Sequence, residues 1–226
     1  KDVQNQNANV DEHSFGGRIG EASSEQMRDI ALNDIISSMA RENHLGNMIY
    51  IHDLDHYAVG DHNCLSIPFD DLLANGFNTR QADIRPAKSV STAFQLKAVI
   101  DQLQSLQQFG GVSATHLDWT MVPYVRKSFY KHYKNICDVI PGVSDKLVLE
   151  NPDEVSIDDE IYRGKHWWNF MKRYITRKAI KATKKELKQA VEGMYHNLNT
   201  LQSRSGNQLP FTSINYGTCT KPEGRM

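Results

Sequence analysis

Leu187, Val191, Met194, Leu198 and Leu201 recur at 4-3-4-3 spacing. That is the seam of a helix which must bury one face against other helices. The helical register ends at Ser203-Arg204-Ser205-Gly206, and Pro210 to Tyr216 then forms an extended apolar run. Bounded by turn residues, this run reads as a buried strand. The chain stops soon afterwards, at Met226, so the expectation is a piece of a longer architecture.

Upstream, the pattern is helix-rich with short, scattered strands. Ser23 or Ser24, followed by Glu25 and Gln26, can cap a helix. Its apolar stripe Met27, Ala31, Ile35 and Met39 runs to about His44. Met48 to Ile51 and Cys64 to Ile67, the latter closed by Pro68, are strand candidates. Asp70 to Asn75 reads as a short helix ended by Gly76. After Pro86 a helix spans about Ser89 to Gln108, with Leu96, Ile100, Leu103 and Leu106 on its buried face and Gly110-Gly111 closing it. Further helices run from Asp118 to Cys137 and from Asp159 to Gln202, separated by a loop from Pro141 to Ile157. Pro123 is tolerable only in the first turns of its helix. Residues 1–23, polar and rich in Asn and Gly, read as an extended arm. Residues 24–226 read as one domain without a repeat.

Composition excludes several classes of partner. Of 226 residues, 39% are hydrophobic and 23% charged, ordinary for a soluble domain. A net charge of −1 points to neither nucleic acid nor membrane as partner of the whole chain. No apolar run approaches the ~20 residues that span a bilayer, and no signal peptide opens the sequence. Three cysteines, Cys64, Cys137 and Cys219, are too few for a disulfide scaffold and favour the reducing cytoplasm.

Four constellations carry possible chemistry, each with a plainer alternative. His52-Asp53-Leu54-Asp55-His56, with His62 and Cys64 behind, has the imidazole and carboxylate donors of a metal-dependent phosphohydrolase. The plainer reading is a strand end whose His and Asp hydrogen-bond a turn, and no metal ligand is assigned. Cys64 is a buried small hydrophobe or a redox participant. Arg163 to Lys188 holds ten Lys or Arg against one acid, Glu186. It is a solvated helix face or, alternatively, a nucleic-acid-binding module tracking phosphates. Gly206 to Phe211 and Tyr216-Gly217-Thr218 fit neither a phosphate loop nor a dinucleotide fingerprint and read as turns around a strand.

Taken together and in order, several segments resemble the anaerobic (class III) ribonucleoside-triphosphate reductases, a glycyl-radical enzyme family. They are Asn7-Ala8-Asn9, Ile51-His52-Asp53-Leu54-Asp55, Asn63-Cys64, Asn75-Gly76-Phe77, Lys88-Ser89, Gly110-Gly111, Pro123-Tyr124-Val125 and Leu198 to Met226. The resemblance covers nearly the whole chain. It implies the N-terminal part of a ten-stranded α/β barrel, truncated here and inactive alone. The implied reaction reduces ribonucleoside triphosphates to deoxyribonucleoside triphosphates through a thiyl radical that removes the ribose 3′ hydrogen.

By the same resemblance Cys64 is the catalytic cysteine of the first barrel strand that donates reducing equivalents. His52 and Asn63 fall near the substrate pocket, in positioning or hydrogen-bonding roles. Lys88 and Ser89 lie where the family binds its dNTP specificity effector across a homodimer interface. Arg85 stands where some relatives have an acid, and Tyr50 where some have a histidine. Formate and a redoxin both remain possible reductants. No cofactor is expected within this segment. The glycyl radical, installed by a radical S-adenosylmethionine iron–sulfur activating enzyme, and a structural zinc are both expected beyond Met226. Cys219 matches no family cysteine and receives no role.

Overall fold

The computed structural model describes residues 11, 13–60, 62–108, 110–143, 151, 153–204 and 206–226. Asn7-Ala8-Asn9 and much of the loop after Pro141 lie outside them.

The expected arm is helical from Phe15. The Ser14 hydroxyl accepts the Gly17 N–H at 2.9 Å and caps α1 (Phe15–Ile30). The glycines that suggested a linker serve close packing instead. A Cβ on Gly17 would stand 1.9 Å from the Asp11 carbonyl oxygen, and one on Gly16 2.3 Å from the Asn207 amide nitrogen. α1 runs into a π turn, Ala31–Ile35, and Ile36 is extended. Ser37 then caps α2 (Ser38–Leu45), its hydroxyl accepting the Ala40 N–H. The single helix expected to reach His44 is therefore broken, and Ile35 and Met39 turn outward. Met48 to Ile51 forms no strand, because the Ile51 N–H donates to the His44 imidazole at 3.1 Å rather than to a ladder. α3 (Leu54–Tyr57) follows.

The chain divides into two compact units. The first comprises residues 1–65, 101–112 and 199–212; the second comprises 66–100, 113–198 and 213–226. In the first, α1 packs on α3.

Two apolar clusters form the core of the second unit. α4 (Phe69–Asn75), α5 (Val90–Ser105), α6 (Leu117–Val139) and α7 (Trp167–Thr200) supply most of them. Phe69, Leu73, Val90, Phe94, Met121 and Val125 meet the α7 residues Ala190, Met194 and Leu198. Phe129, Tyr133 and Cys137 of α6 meet Ile175 and Ala179 of α7. The seam read from the sequence is thus buried at Met194 and Leu198, with Leu187 and Val191 against the cluster. Leu201 lies past the helix end and is exposed. Leu103 on α5 and Leu106 just past its end are exposed where burial was expected, and the polar Asp101 and Ser105 are buried. Pro123 sits in the second turn of α6, within the first turns where it is tolerated. A 3-10 turn, Asp159–Tyr162, precedes α7, so the long helix starts later than expected.

Strands β1 (Leu65–Ser66), β4 (Val112–Ala114) and β5 (Thr212–Ile214) form a sheet in the order β1-β4-β5. In the first unit the Leu65 N–H donates to Gly111 O, and the Val112 N–H to Phe211 O. In the second the Ile67 N–H donates to Ser113 O, and the Asn215 N–H to Ala114 O. Bonds advancing together along both partners make the pairings parallel. β2 (Phe77–Asn78) and β3 (Asp83–Ile84) pair antiparallel. Gly76, at φ +79°, ends α4, where a Cβ would meet Ile84 O at 2.2 Å. Among the described residues no helix is long and apolar enough to cross a membrane.

Candidate functional site

In the first unit Cys64 is an exposed free thiol immediately before β1. The Gly111 N–H donates to its Sγ at 3.3 Å, and the thiol faces Asn63 Oδ1 at 3.8 Å. The glycine pair expected only to close a helix packs against this loop. A Cβ on Gly110 would stand 1.5 Å from Asn63 O, so only glycine fits. Buried Gln108 donates to Gly111 O at 3.1 Å and fixes the same turn. Cys64 is therefore a solvent-accessible thiol on a braced backbone, which suits reversible redox chemistry better than packing.

His52 is also exposed, its Nδ1 2.7 Å from Asp53 Oδ2. Asp53 holds the left-handed conformation at φ 53° and starts α3. Behind it, Asp55 Oδ2 accepts the Ser24 hydroxyl and lies 3.3 Å from Nε2 of buried His56. Among the described residues no hydrogen bond or ion pair joins His52 to Cys64. No group of three His, Cys, Asp or Glu converges there on one point either. The four-ligand arrangement that a phosphohydrolase needs is not assembled from these side chains. Arg204, which the sequence marks only as part of a helix end, is buried in the first unit. Its guanidinium stacks on Phe211 at 5.4 Å and donates to the Gln208 side chain. Burial pulls that guanidinium below its ordinary pKa, while the charge of Asp53 works the other way.

The second unit carries Lys88 and Ser89 at the start of α5. Lys88 is exposed. The Ser89 hydroxyl accepts the Thr92 N–H at 3.2 Å, and the Ser89 carbonyl accepts the Ala93 N–H at 3.0 Å. The Val90 N–H donates to Ser128 Oγ at 3.0 Å. Three helix-start N–H groups are thus engaged within the protein, and the exposed Lys88 side chain stands beside them.

Two carboxylates stand in the same unit. His116 Nε2 lies 2.7 Å from Asp70 Oδ2. Burial works to raise the Asp70 carboxyl, but hydrogen bonds to Thr120 and His116 and the charge of His116 hold it below its usual range. Asp118 Oδ2 accepts the N–H groups of Gly217, Thr218 and Cys219 at 2.9, 2.9 and 2.7 Å. Its Oδ1 accepts the Trp119 N–H at 3.1 Å. Against the upward pull of burial, these donors hold Asp118 below the usual carboxylate range.

Asp159, in the 3-10 turn, binds Arg177 at 2.6 Å and Arg173 at 3.1 Å on the basic helix. Burial raises Asp159, and the two guanidinium groups outweigh it. Trp167, Phe170 and Tyr174 are exposed, whereas Trp168 and Ile175 pack in the core. Among the described residues no three His, Cys, Asp or Glu side chains gather in the way that the zinc implied by the resemblance would need. Cys137 and Cys219 are buried in the second unit, and Cys64 belongs to the first.

Residues 6–226 match the family model described as anaerobic ribonucleoside-triphosphate reductase. The anaerobic ribonucleoside-triphosphate reductase of Enterobacteria phage T4 is 27% identical over 227 residues, covering 100% of this chain and 32% of that protein. The Salmonella typhimurium enzyme of the same name is 29% identical over 180 residues, 79% of this chain and 21% of its own length. The chain thus spans about a third or less of these relatives. The fold is similar to a crystal structure of the anaerobic ribonucleotide reductase from Thermotoga maritima in complex with dATP and CTP. There the TM-score is 0.56 at 17% identity, over 89% of this chain and 28% of that one.

Proposed function

The chain belongs to the anaerobic ribonucleoside-triphosphate reductase family, and from that premise we propose that it is part of an enzyme reducing ribonucleoside triphosphates to deoxyribonucleoside triphosphates. The observation that carries the reading is the family match over residues 6–226, with an accessible thiol at Cys64. In this reading the parallel strands belong to a ten-stranded barrel completed by further chain. The protein works as a cytoplasmic homodimer.

Cys64 donates reducing equivalents to the ribose, its sulfur held by the Gly111 N–H so that the thiol faces the substrate. Asn63 and His52 hydrogen-bond the nucleotide, with Asp53 fixing the orientation of the His52 ring. A glycyl radical, installed by a radical S-adenosylmethionine activating enzyme and held outside these residues, supplies the one-electron chemistry. The zinc likewise belongs elsewhere in the protein. Lys88 meets the phosphates of a dNTP effector as a point charge, beside the turn that Ser89 caps. The Thermotoga maritima enzyme was crystallised in complex with dATP and CTP, which is consistent with a nucleotide effector and a nucleotide substrate here.

The test is anaerobic turnover of the complete protein, activated by its radical S-adenosylmethionine partner, on radiolabelled ribonucleoside triphosphates. The expected product is the deoxyribonucleoside triphosphate; unchanged or merely dephosphorylated nucleotide would overturn the reading. Lys88→Ala is expected to weaken dNTP binding about tenfold, the loss of one charge-assisted contact. Equilibrium dialysis with labelled dATP and dGTP measures it, and unaltered affinities would remove Lys88 from the effector site.

A further inference from the structure

Glu186 is the one acid among ten Lys and Arg between Arg163 and Lys188, and it faces inward. Its Oε1 accepts the Ser128 hydroxyl at 3.1 Å, and its Oε2 lies 2.7 Å from His132 Nε2. Ser128 is fully buried, and its oxygen accepts the Val90 N–H at 3.0 Å. A hydroxyl has one proton. With that proton committed to Glu186, the Ser128 oxygen is left as an acceptor aimed at Val90. Val90 is itself fully buried, so no water can replace this bond. The carboxylate polarises the hydroxyl and strengthens the second bond of the chain.

Val90 directly follows Lys88 and Ser89. We infer that Glu186, through Ser128, is a positioning residue for the start of α5 and sets the affinity of the effector turn at Lys88-Ser89. This rests on the effector reading of Lys88 and Ser89 above. It adds residues on α6 and α7, distant in sequence from Lys88 and Ser89. α7 thereby has two jobs: most of its lysines face solvent, and Glu186 holds another helix in place.

The experiment uses the complete reductase with labelled dATP and dGTP, and follows amide exchange at Val90 in parallel. Ser128→Ala is expected to raise the dissociation constant about fivefold, the worth of one buried hydrogen bond. It is also expected to speed exchange at Val90, and Ser128→Thr restores both by returning the hydroxyl. Glu186→Gln keeps an acceptor but removes the charge, so a rise of about twofold is expected. If Ser128→Ala does not fold, Glu186→Gln decides the matter. Wild-type affinity and wild-type Val90 exchange in the folded variants would overturn the inference while Lys88→Ala still weakens binding. If Lys88→Ala leaves binding unchanged, the effector reading fails and the inference falls with it.

Discussion

Asp118→Ala tests how the segment after β5 is fastened. The carboxylate accepts three consecutive N–H groups at Gly217, Thr218 and Cys219, and Trp119 on its other oxygen. Cys219 is buried, so removing its ionised acceptor leaves its N–H poorly hydrated, costing about 2 kcal/mol. Gly217 and Thr218 are exposed, and their N–H groups turn to water at a combined loss of about 1 kcal/mol. The expected destabilisation is therefore about 3 kcal/mol, read from the urea midpoint at pH 7. Asp118→Asn retains an acceptor without charge and should lose about half as much.

The pH dependence has a definite sign. The folded carboxyl sits below its usual range, so its contribution is present above the unfolded value, about 3.9. The contribution disappears as pH falls through the lower, folded value. The gap between wild type and Asp118→Asn should therefore close as pH falls below about 4. A loss below about 0.5 kcal/mol for Asp118→Ala, the range of an ordinary surface substitution, would refute the clamp.

Gly110→Ala should cost at least about 3 kcal/mol, because its Cβ would meet backbone rather than a movable side chain. Urea unfolding measures this, and a loss under about 1 kcal/mol would mean the turn against Asn63 is looser than described. Ser14→Ala removes the cap of α1 and should cost about 1 kcal/mol in the same assay. An unaltered midpoint would favour the extended arm that the sequence suggested.

Legibility followed the range of the interactions. α4, with Gly76 at its end, and the inward face of α7 were readable because caps and seams are written in adjacent residues. β1 was readable from local pattern, and the role expected of Cys64 came from resemblance. The start of α1 was missed because Asn and Gly look like linker, while what Gly16 packs against is Asn207, far along the chain. The Asp118 clamp joins residues 99 to 101 positions apart, and no periodicity signals such a bond. Leu103 and Leu106 fit the helical period of α5, yet Asp101 and Ser105 are the buried residues, a tertiary override of pattern. Arg204 was read as part of a helix end, and only the fold brings it onto Phe211 and under the field of Asp53.

The most direct test of the central claim is turnover by Cys64→Ser in the complete, activated, anaerobic enzyme. Glycyl-radical content, read by electron paramagnetic resonance, and dNTP binding should be followed on the same sample. The account predicts normal radical content and normal effector binding, with deoxyribonucleotide formation lost. Turnover at the wild-type rate would contradict it and return Cys64 to the status of an ordinary surface thiol.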